Sequence, residues 1–110
     1  MLAPQPDLLQ GTLDLLILKS LQAAPLHGWA ISRRIQQMSS EVLTVNQGSL
    51  YPALYRLEDR GWIAARDALS DEGRRIRIYR LTAAGRRQLA HEINSWRAFA
   101  AAMTQVVDAQ

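Results

Sequence analysis

The chain has 110 residues, 48% of them hydrophobic, which is enough for one domain with a modest core and too few for two. It contains no cysteine, which excludes disulfides, thiolate metal sites and cysteine nucleophiles. The formal net charge is +3, and every basic residue except Lys19 is an arginine, whose planar guanidinium suits phosphates and guanine edges.

The first predicted helix follows a short arm. Residues 1–10 contain two prolines and are expected to form an irregular N-terminal arm. A helix is then predicted from Gly11, with Thr12 as its N-cap, as far as Pro25. Its apolar residues cover more than one face, so it must be covered from more than one side. We expect a second subunit to supply part of that cover.

A second helix is predicted over about residues 29–38, and a third begins after a polar linker. Asn46 can cap the third helix, although Thr44 with Gln47 offers a competing capping-box start. Its apolar row repeats at i, i+4 and i+7 and consists of Leu50, Leu54 and Leu57. This row is expected to face the core, and Gly61 is expected to end the helix.

The opposite side of the third helix has the composition of a DNA-reading surface. Tyrosine hydroxyls can bond phosphates, and an arginine can bond phosphate or guanine. The predicted DNA-contacting residues of this helix are Asn46, Gln47, Gly48, Ser49, Tyr51, Tyr55 and Arg56. Pro52 lies inside the pattern, where a proline weakens or kinks a helix.

A β-hairpin rich in arginine is predicted next. Residues 63–67 and 76–81 are strand-like, and Ser-Asp-Glu-Gly between them is a turn composition. Arg74, Arg75 and Arg77 are candidate contacts to phosphates or a minor groove, the alternative being a solvated basic face. The alternation of the second strand is imperfect, so the sequence leaves open which of its arginines share a face.

A long helix, capped by Thr82, is predicted to occupy residues 83–110. Its apolar residues are spaced 4, 3, 4, 3 and 4 apart and are Leu89, Ile93, Trp96, Ala100, Met103 and Val107. Such a heptad seam predicts a helix–helix contact. The partner would be a second copy of the chain, giving a homodimer, or else the first helix of the same chain.

The predicted fold class is mostly α with a small β-hairpin. The order of three helices and two strands is that of a winged helix-turn-helix domain, here residues 11–82, followed by a C-terminal dimerisation helix. In this fold the third helix enters the major groove and the hairpin reaches a flanking groove or the backbone. The predicted partner is therefore a double-stranded DNA operator, and the alternative is a winged-helix protein-interaction module that does not bind DNA.

Three segments resemble the PadR-type transcriptional regulators. Residues 48–58, Gly-Ser-Leu-Tyr-Pro-Ala-Leu-Tyr-Arg-Leu-Glu, followed by Gly-Trp-Ile at 61–63, are similar to the signature of that family. Residues 26–31 resemble its His-Gly-aromatic segment, with Trp29 where a tyrosine is usual, and residues 79–85 resemble its exit from the wing. The resemblance implies a homodimeric repressor of nearby genes that a small molecule sometimes releases.

The resemblance also implies a candidate effector site. In some members of the family, aromatic residues on the C-terminal helix line a ligand cavity at the dimer centre. The corresponding candidates here are Trp96, Phe99 and Met103, and the expected effector is a small hydrophobic or phenolic compound. The alternative is that Trp96 only fills the dimer core.

Enzymatic function has no support in the sequence, and no metal or cofactor is expected. The two histidines lack a metal-ligand spacing or a catalytic partner, and no glycine-rich phosphate loop occurs. His27 is expected to hydrogen-bond at the start of the second helix. The N-terminus lacks the basic segment of a signal peptide, and no apolar run approaches the ~20 residues that cross a bilayer. We therefore expect a cytoplasmic protein without a membrane partner.

Overall fold

The computed structural model describes residues 6–110 of the chain, with side chains from Gly11 onward. Its elements, in chain order, are α1 (Pro6–Ser20), β1 (Leu26–His27), α2 (Gly28–Met38), α3 (Gln47–Asp59), β2 (Ile63–Leu69), β3 (Arg75–Leu81) and α4 (Ala83–Asp108). The predicted fold class is confirmed: three helices and a wing are followed by a long C-terminal helix.

The wing is part of a three-stranded antiparallel sheet with the strand order β1-β3-β2. At its base Ile63 pairs with Leu81, and at its tip Leu69 pairs with Arg75, so both strands extend further toward the tip than the sequence predicted. The two-residue strand β1 was not predicted. It pairs with β3 and thereby ties the start of α2 to the wing.

The core lies between α1, α2, α3, the base of the wing and the start of α4. The predicted row of α3 is buried, and α1 buries residues on two faces. The buried apolar side chains are Leu13, Ile17, Leu18, Leu21, Ile31, Ile35, Leu50, Ala53, Leu54, Leu57, Ile63, Tyr79, Leu81 and Leu89. Three helices of the same chain, α2, α3 and α4, contact α1, so the expectation that a second subunit covers it is not needed to explain its pattern.

The bounds predicted for α1 were wrong at both ends. The helix begins at Pro6, so residues 6–10 are not irregular and Thr12 is an interior residue rather than the N-cap. A proline suits the first turn of a helix because its missing N–H would have no partner there. The helix ends at Ser20, before Pro25. The arm predicted for residues 1–5 lies outside the described residues.

A side-chain cap begins each of α3 and α4, and the cap of α4 also ties that helix to the turn that follows α3. The Asn46 side chain accepts a hydrogen bond from the Ser49 amide at 2.8 Å, which confirms Asn46 as the cap of α3. Thr82 Oγ1 accepts from the Gly85 amide at 3.0 Å and donates to the Gly61 carbonyl at 2.6 Å. Gly61 has φ +76°, a left-handed conformation that ends α3. The hydroxyl of one threonine thus joins the end of α3 to the start of α4.

The predicted seam of α4 is divided between two environments. Leu89 is 2% exposed inside the core of its own chain, and Ile93 packs partly against that core. Leu89 is therefore not a free dimerisation residue, and Ile93 is only partly free, because the start of α4 folds back onto the domain. Further along, Trp96 and Met103 are each 49% exposed and Val107 is 74% exposed.

Candidate nucleic-acid interface

The exposed side of α3 presents the residues that were predicted to contact DNA, with one exception. Tyr55 is 76% exposed and Tyr51 is 45% exposed. At the start of the helix Gln47 and Gly48 are exposed and Ser49 is half-buried. Since the Leu50, Leu54 and Leu57 row is clamped in the core, this side of α3 is held rigidly toward solvent.

Tyr51 rests on the start of α2. A Cβ atom added to Gly28 would lie 2.9 Å from the Tyr51 hydroxyl oxygen and 3.1 Å from its nearest ring carbon, Cε1. Only a residue without a side chain at position 28 allows this contact. The ring of Tyr51 is therefore positioned by α2 while its exposed part remains available to a partner.

The wing leaves its tip arginines exposed. The tip turns through Gly73, whose φ is +80°, and the Ser70 hydroxyl accepts a hydrogen bond from the Arg74 amide at 3.0 Å. Arg74 and Arg75 are both exposed. Arg75 Nη2 lies 3.9 Å from Asp67 Oδ2 between two largely exposed side chains, so this ion pair is weak.

The structure resolves which arginines of β3 share a face. Side chains alternate along a strand, so Arg75, Arg77 and Tyr79 lie on one face and Arg80 lies on the other. The first face is directed toward α3: Arg77 Nη2 bonds to Glu58 Oε2 at 2.8 Å, and the Arg77 guanidinium lies 6.0 Å from the centre of the Tyr79 ring. Arg77 therefore differs from Arg75 in being attached to α3.

Arg56 is the exception on α3, and its predicted placement on the DNA-facing side was wrong. Arg56 Nη2 bonds to Asp14 Oδ1 at 2.6 Å, with 27% and 12% of the two side chains exposed. Arg56 flanks the apolar row, and its long side chain turns toward α1 because a buried carboxylate there requires a cation. Burial raises the pKa of Asp14, and the hydrogen bond and charge of Arg56 oppose this rise.

Two grooves on this side of the molecule run beside the wing and share Tyr51, Arg77 and Tyr79. The first lies between α3 and the wing, and the carboxylates of Glu58 and Asp59 also line it. The second lies between the wing and the start of α2. Burial raises the pKa of the Tyr79 phenol, which lies at the junction of the two grooves, above its ordinary value of 10.0.

An aromatic cluster at the start of α2 was missed by the sequence reasoning. The rings of His27 and Trp29 are stacked with their centres 6.2 Å apart, and the Arg33 guanidinium lies 5.0 Å from the centre of the Trp29 ring. The expected hydrogen bond of His27 is absent, since its side chain makes no cap bond to α2. The His-Gly-aromatic segment was the signal that could have indicated this cluster.

The second half of α4 carries a separate exposed apolar surface. Trp96, Phe99 and Met103 are each about half exposed. Trp96 and Phe99 also line a groove between α4 and α1, together with Thr12 and Leu15. Two of the predicted effector residues, Trp96 and Phe99, thus share this groove, and Met103 lies one turn further along α4. Within residues 6–110, no helix is long and apolar enough to cross a membrane.

These features define a winged helix-turn-helix protein: a clamped third helix with an exposed polar side, an arginine-tipped wing beside it and a long helix behind it. The chain belongs to the transcriptional regulator PadR-like family, whose sequence model matches residues 17–91. The resemblance noted in the sequence is thereby confirmed. The chain is a DNA-binding transcriptional regulator of this family.

Two relatives are similar to the chain over more than half of its length. The chain is 27% identical over 90 residues to an uncharacterised protein of Lysinibacillus sphaericus, covering 82% of this chain and 83% of that one. It is 40% identical over 57 residues to a transcriptional regulator of Mycobacterium tuberculosis, 52% of each chain.

Two solved structures match most of the fold. A transcriptional regulator from Clostridium thermocellum superposes with a TM-score of 0.84 at 25% identity, covering 93% of this chain and 99% of that one. A PadR family regulator from Clostridium difficile superposes with a TM-score of 0.73 at 27% identity, covering 86% and 97%. The family and these structural neighbours are transcriptional regulators, so no enzymatic activity is inferred for the chain.

Proposed function

We propose that this regulator is a homodimeric repressor. In each half-site α3 would enter the major groove, and the half-site centres would lie one helical turn (~34 Å) or a multiple of it apart. The observation that carries the DNA-binding part is the rigid exposed side of α3, with Tyr51 and Tyr55, beside a wing whose Arg74 and Arg75 are exposed. Repression follows if the operator overlaps a promoter.

The proposed contacts fall into two groups. Gln47, Gly48, Ser49, Tyr51 and Tyr55 would contact base edges and nearby phosphates, because they lie on the exposed side of α3. Arg74 and Arg75 would hold phosphates or a minor groove. Asn46 stands at the end of this surface, where its side chain is engaged in capping α3.

The dimer would form through the second half of α4. Trp96, Ala100, Met103 and Val107 continue the heptad spacing beyond the part of the helix that packs on its own domain. Two such helices pairing about a two-fold axis would bury these side chains and present two copies of α3 to one DNA duplex. Trp96, Met103 and Val107 are exposed in the single chain and Ala100 is half-buried, which supports this role.

The effector would be a small hydrophobic or phenolic compound. Trp96 and Phe99 line the groove between α1 and α4, and Met103 lies one turn beyond Phe99. A ligand held there would quench the fluorescence of Trp96. The chain contains Trp29 and Trp62 as well, so the titration is compared with the Trp96→Phe variant, in which quenching should disappear if Trp96 is the reporter.

The direct test is a footprint and a gel shift on DNA upstream of the protein's own coding region, in a series of salt concentrations. We expect a symmetric, site-specific footprint whose affinity falls as the salt concentration rises, because phosphate contacts release counterions. A protein that shows no salt-sensitive specific shift on this DNA would instead be the protein-interaction module.

Arg75 tests the role of the wing. Arg75→Ala should weaken binding to operator and nonspecific DNA alike and make the slope of log K against log salt shallower by about 1, since one phosphate contact is lost. Arg97→Ala is the matched control, as it removes the same charge from an exposed position on α4 rather than on the wing and should leave the slope unchanged. Equal slopes for the two variants would remove Arg75 from the proposed contacts.

Tyr51 tests the role of α3. Tyr51→Phe keeps the ring against Gly28 and removes only the hydroxyl, whereas Tyr51→Ala removes both. We expect operator affinity to fall in both variants, by more in Tyr51→Ala. Gel shifts on operator and nonspecific DNA would measure this, and unchanged operator affinity in Tyr51→Ala would contradict the assignment.

A further inference from the structure

Arg77 joins the wing to α3. Its Nη2 atom bonds to Glu58 Oε2 at 2.8 Å, with 51% and 36% of the two side chains exposed. The two residues are 19 positions apart in the chain, and their contact connects the middle of β3 directly to the end of α3. The Tyr79 ring, buried behind the pair, lies under the guanidinium at 6.0 Å and restricts its position.

The link lies far enough from the fixed base of the wing to restrain the position of the wing tip. The wing is fixed to the core at its base, where Ile63 pairs with Leu81. On β3, Arg77 lies four residues from Leu81 in the direction of the tip, which is about 13 Å at the rise of an extended strand. The exposed tip arginines follow within another two or three residues. The link therefore holds the wing near its midpoint and sets the angle between α3 and the wing tip.

The surroundings of Arg77 also differ from those of a phosphate ligand. Two carboxylates, Glu58 and Asp59, line the groove into which its side chain extends. A phosphate entering this groove would be repelled by both, and the guanidinium would first have to leave Glu58. Arg75 is held far less firmly, since its contact with Asp67 is long, at 3.9 Å, and joins two largely exposed side chains.

We infer that Glu58 and Arg77 form a strut that sets the orientation of the wing, and that Arg77 is a positioning residue rather than a DNA contact. This inference rests on the proposed function, because it assigns a role within the operator-binding surface. It predicts an unusual sign: removing the negative charge of Glu58 weakens binding to a polyanion.

The decisive comparison is Glu58→Gln against Asp59→Asn. Both variants remove one negative charge from the same groove, but the first breaks the ion pair with Arg77 and the second leaves it in place. We expect Glu58→Gln to weaken operator binding about fivefold, which corresponds to the upper range for an exposed pair, and Asp59→Asn to bind as well as the wild type or more tightly. Tighter binding by both variants, as lost repulsion would give, overturns the inference.

The salt slope separates a strut from a phosphate contact. Arg77→Gln should weaken operator binding about as much as Glu58→Gln, with a slope that changes by less than about 0.5, whereas loss of a phosphate ligand changes it by about 1. The double variant Glu58→Gln/Arg77→Gln should be no weaker than either single variant. A slope shallower by about 1 in Arg77→Gln, or a steeper one in Glu58→Gln, shows that Arg77 binds phosphate.

A measurement without DNA separates failure of the strut from failure of the proposed function. Backbone ¹⁵N relaxation, with α2 as the rigid reference, should show lower order parameters over residues 66–77 in Glu58→Gln and Arg77→Gln than in the wild type. Asp59→Asn should leave them unchanged. Identical wing dynamics in all four proteins overturns the strut, whatever the outcome of DNA binding.

Discussion

The two halves of α4 have the same apolar spacing and different surroundings. In the first half Gly85 and Leu89 are buried in the core of the chain, and Ile93 packs partly against it. In the second half Met103 is 49% exposed and Val107 is 74% exposed. A heptad pattern therefore indicates which face of a helix is apolar, but it does not indicate which partner covers that face.

The close approach of backbones at Gly85 explains why the first half is anchored. A Cβ atom added to Gly85 would collide with the carbonyl group of Trp62, whose carbon would lie at 2.8 Å. The Thr82 amide donates to the same carbonyl at 3.1 Å. The start of α4 is therefore locked against the end of α3, and the rest of the helix extends from this anchor beyond the core.

Leu89→Ala should have the largest effect on folding. Leu89 is 2% exposed in the core, so shortening its side chain leaves a cavity and should lower the free energy of unfolding by about 3 kcal/mol. Urea denaturation at one fixed protein concentration would measure the loss. Asn94→Ala, an exposed position off the seam, should change stability by less than about 0.5 kcal/mol. Equal losses would mean that the first half of α4 is not part of the core.

Gly85→Ala should destabilise the fold by about 2 kcal/mol, because the added methyl group forces α4 away from Trp62. The same substitution at Gly11 serves as the control. No atom lies within 4 Å of a Cβ added there, so Gly11→Ala should stabilise α1 by up to about 1 kcal/mol through helix propensity. Thermal denaturation would show the two opposite shifts, and shifts of the same sign would contradict the anchor.

Arg56→Met should cost about 2 kcal/mol of stability, since it leaves the Asp14 carboxylate poorly paired between α1 and α3. The exposed Arg87→Met is the matched control and should be nearly neutral. Operator affinity, corrected for the unfolded fraction, should not fall in Arg56→Met, because this arginine does not face the DNA side. A specific loss of affinity would restore the role that the sequence first predicted for it.

The same carboxyl group should make stability depend on pH. Burial raises the folded-state pKa of Asp14 above its usual value of 3.8, and Glu92 in the first half of α4 adds to the rise. The folded chain therefore binds the proton more tightly than the unfolded chain. The stability of the wild type relative to Asp14→Asn should fall as the pH rises above 3.8 through the raised pKa. Urea denaturation of both proteins from pH 3.5 to pH 7 would reveal the trend, and an upward trend would contradict it.

Met103→Asp should have the smallest effect on the fold and a clear effect on assembly. The side chain is half exposed in the single chain, so a charge there should change the stability of the monomer by less than about 0.5 kcal/mol. In a two-fold helix pair the two charges would face each other and drive the protein to monomer in sedimentation. A dimer mass that persists would place the interface elsewhere. Ile93→Asp is less informative because Ile93 also packs on the core.

Much of the fold was predictable because local patterns agreed with it. The i, i+4, i+7 row of α3, the Asn46 and Thr82 caps and the turn near Gly73 each have a short-range physical cause, and each was found where expected. The start of α1 was missed because a proline that suits a first turn also suits an irregular arm. The strand β1 has only two residues and no periodicity to detect.

The candidate site was predictable as a surface but not residue by residue. Tyr51 and Tyr55 were assigned to the exposed side of α3 correctly, because the opposite side was clearly apolar. Arg56 and Arg77 were not distinguished from Arg75. Their ion-pair partners, Asp14 and Glu58, lie 42 and 19 residues away in the chain, and no local pattern relates such positions.

The sequence by itself determined the four helices and the hairpin, their order, the apolar faces and the resemblance to the PadR-type regulators, since these depend on periodicity, capping residues and short motifs. Only the tertiary structure decided which arginines are exposed and which are paired, that Gly28 accommodates Tyr51, and where α4 leaves the core. The reason is physical: the environment of a side chain depends on which distant segments fold against it, and one chain position can face a carboxylate, a ring or solvent.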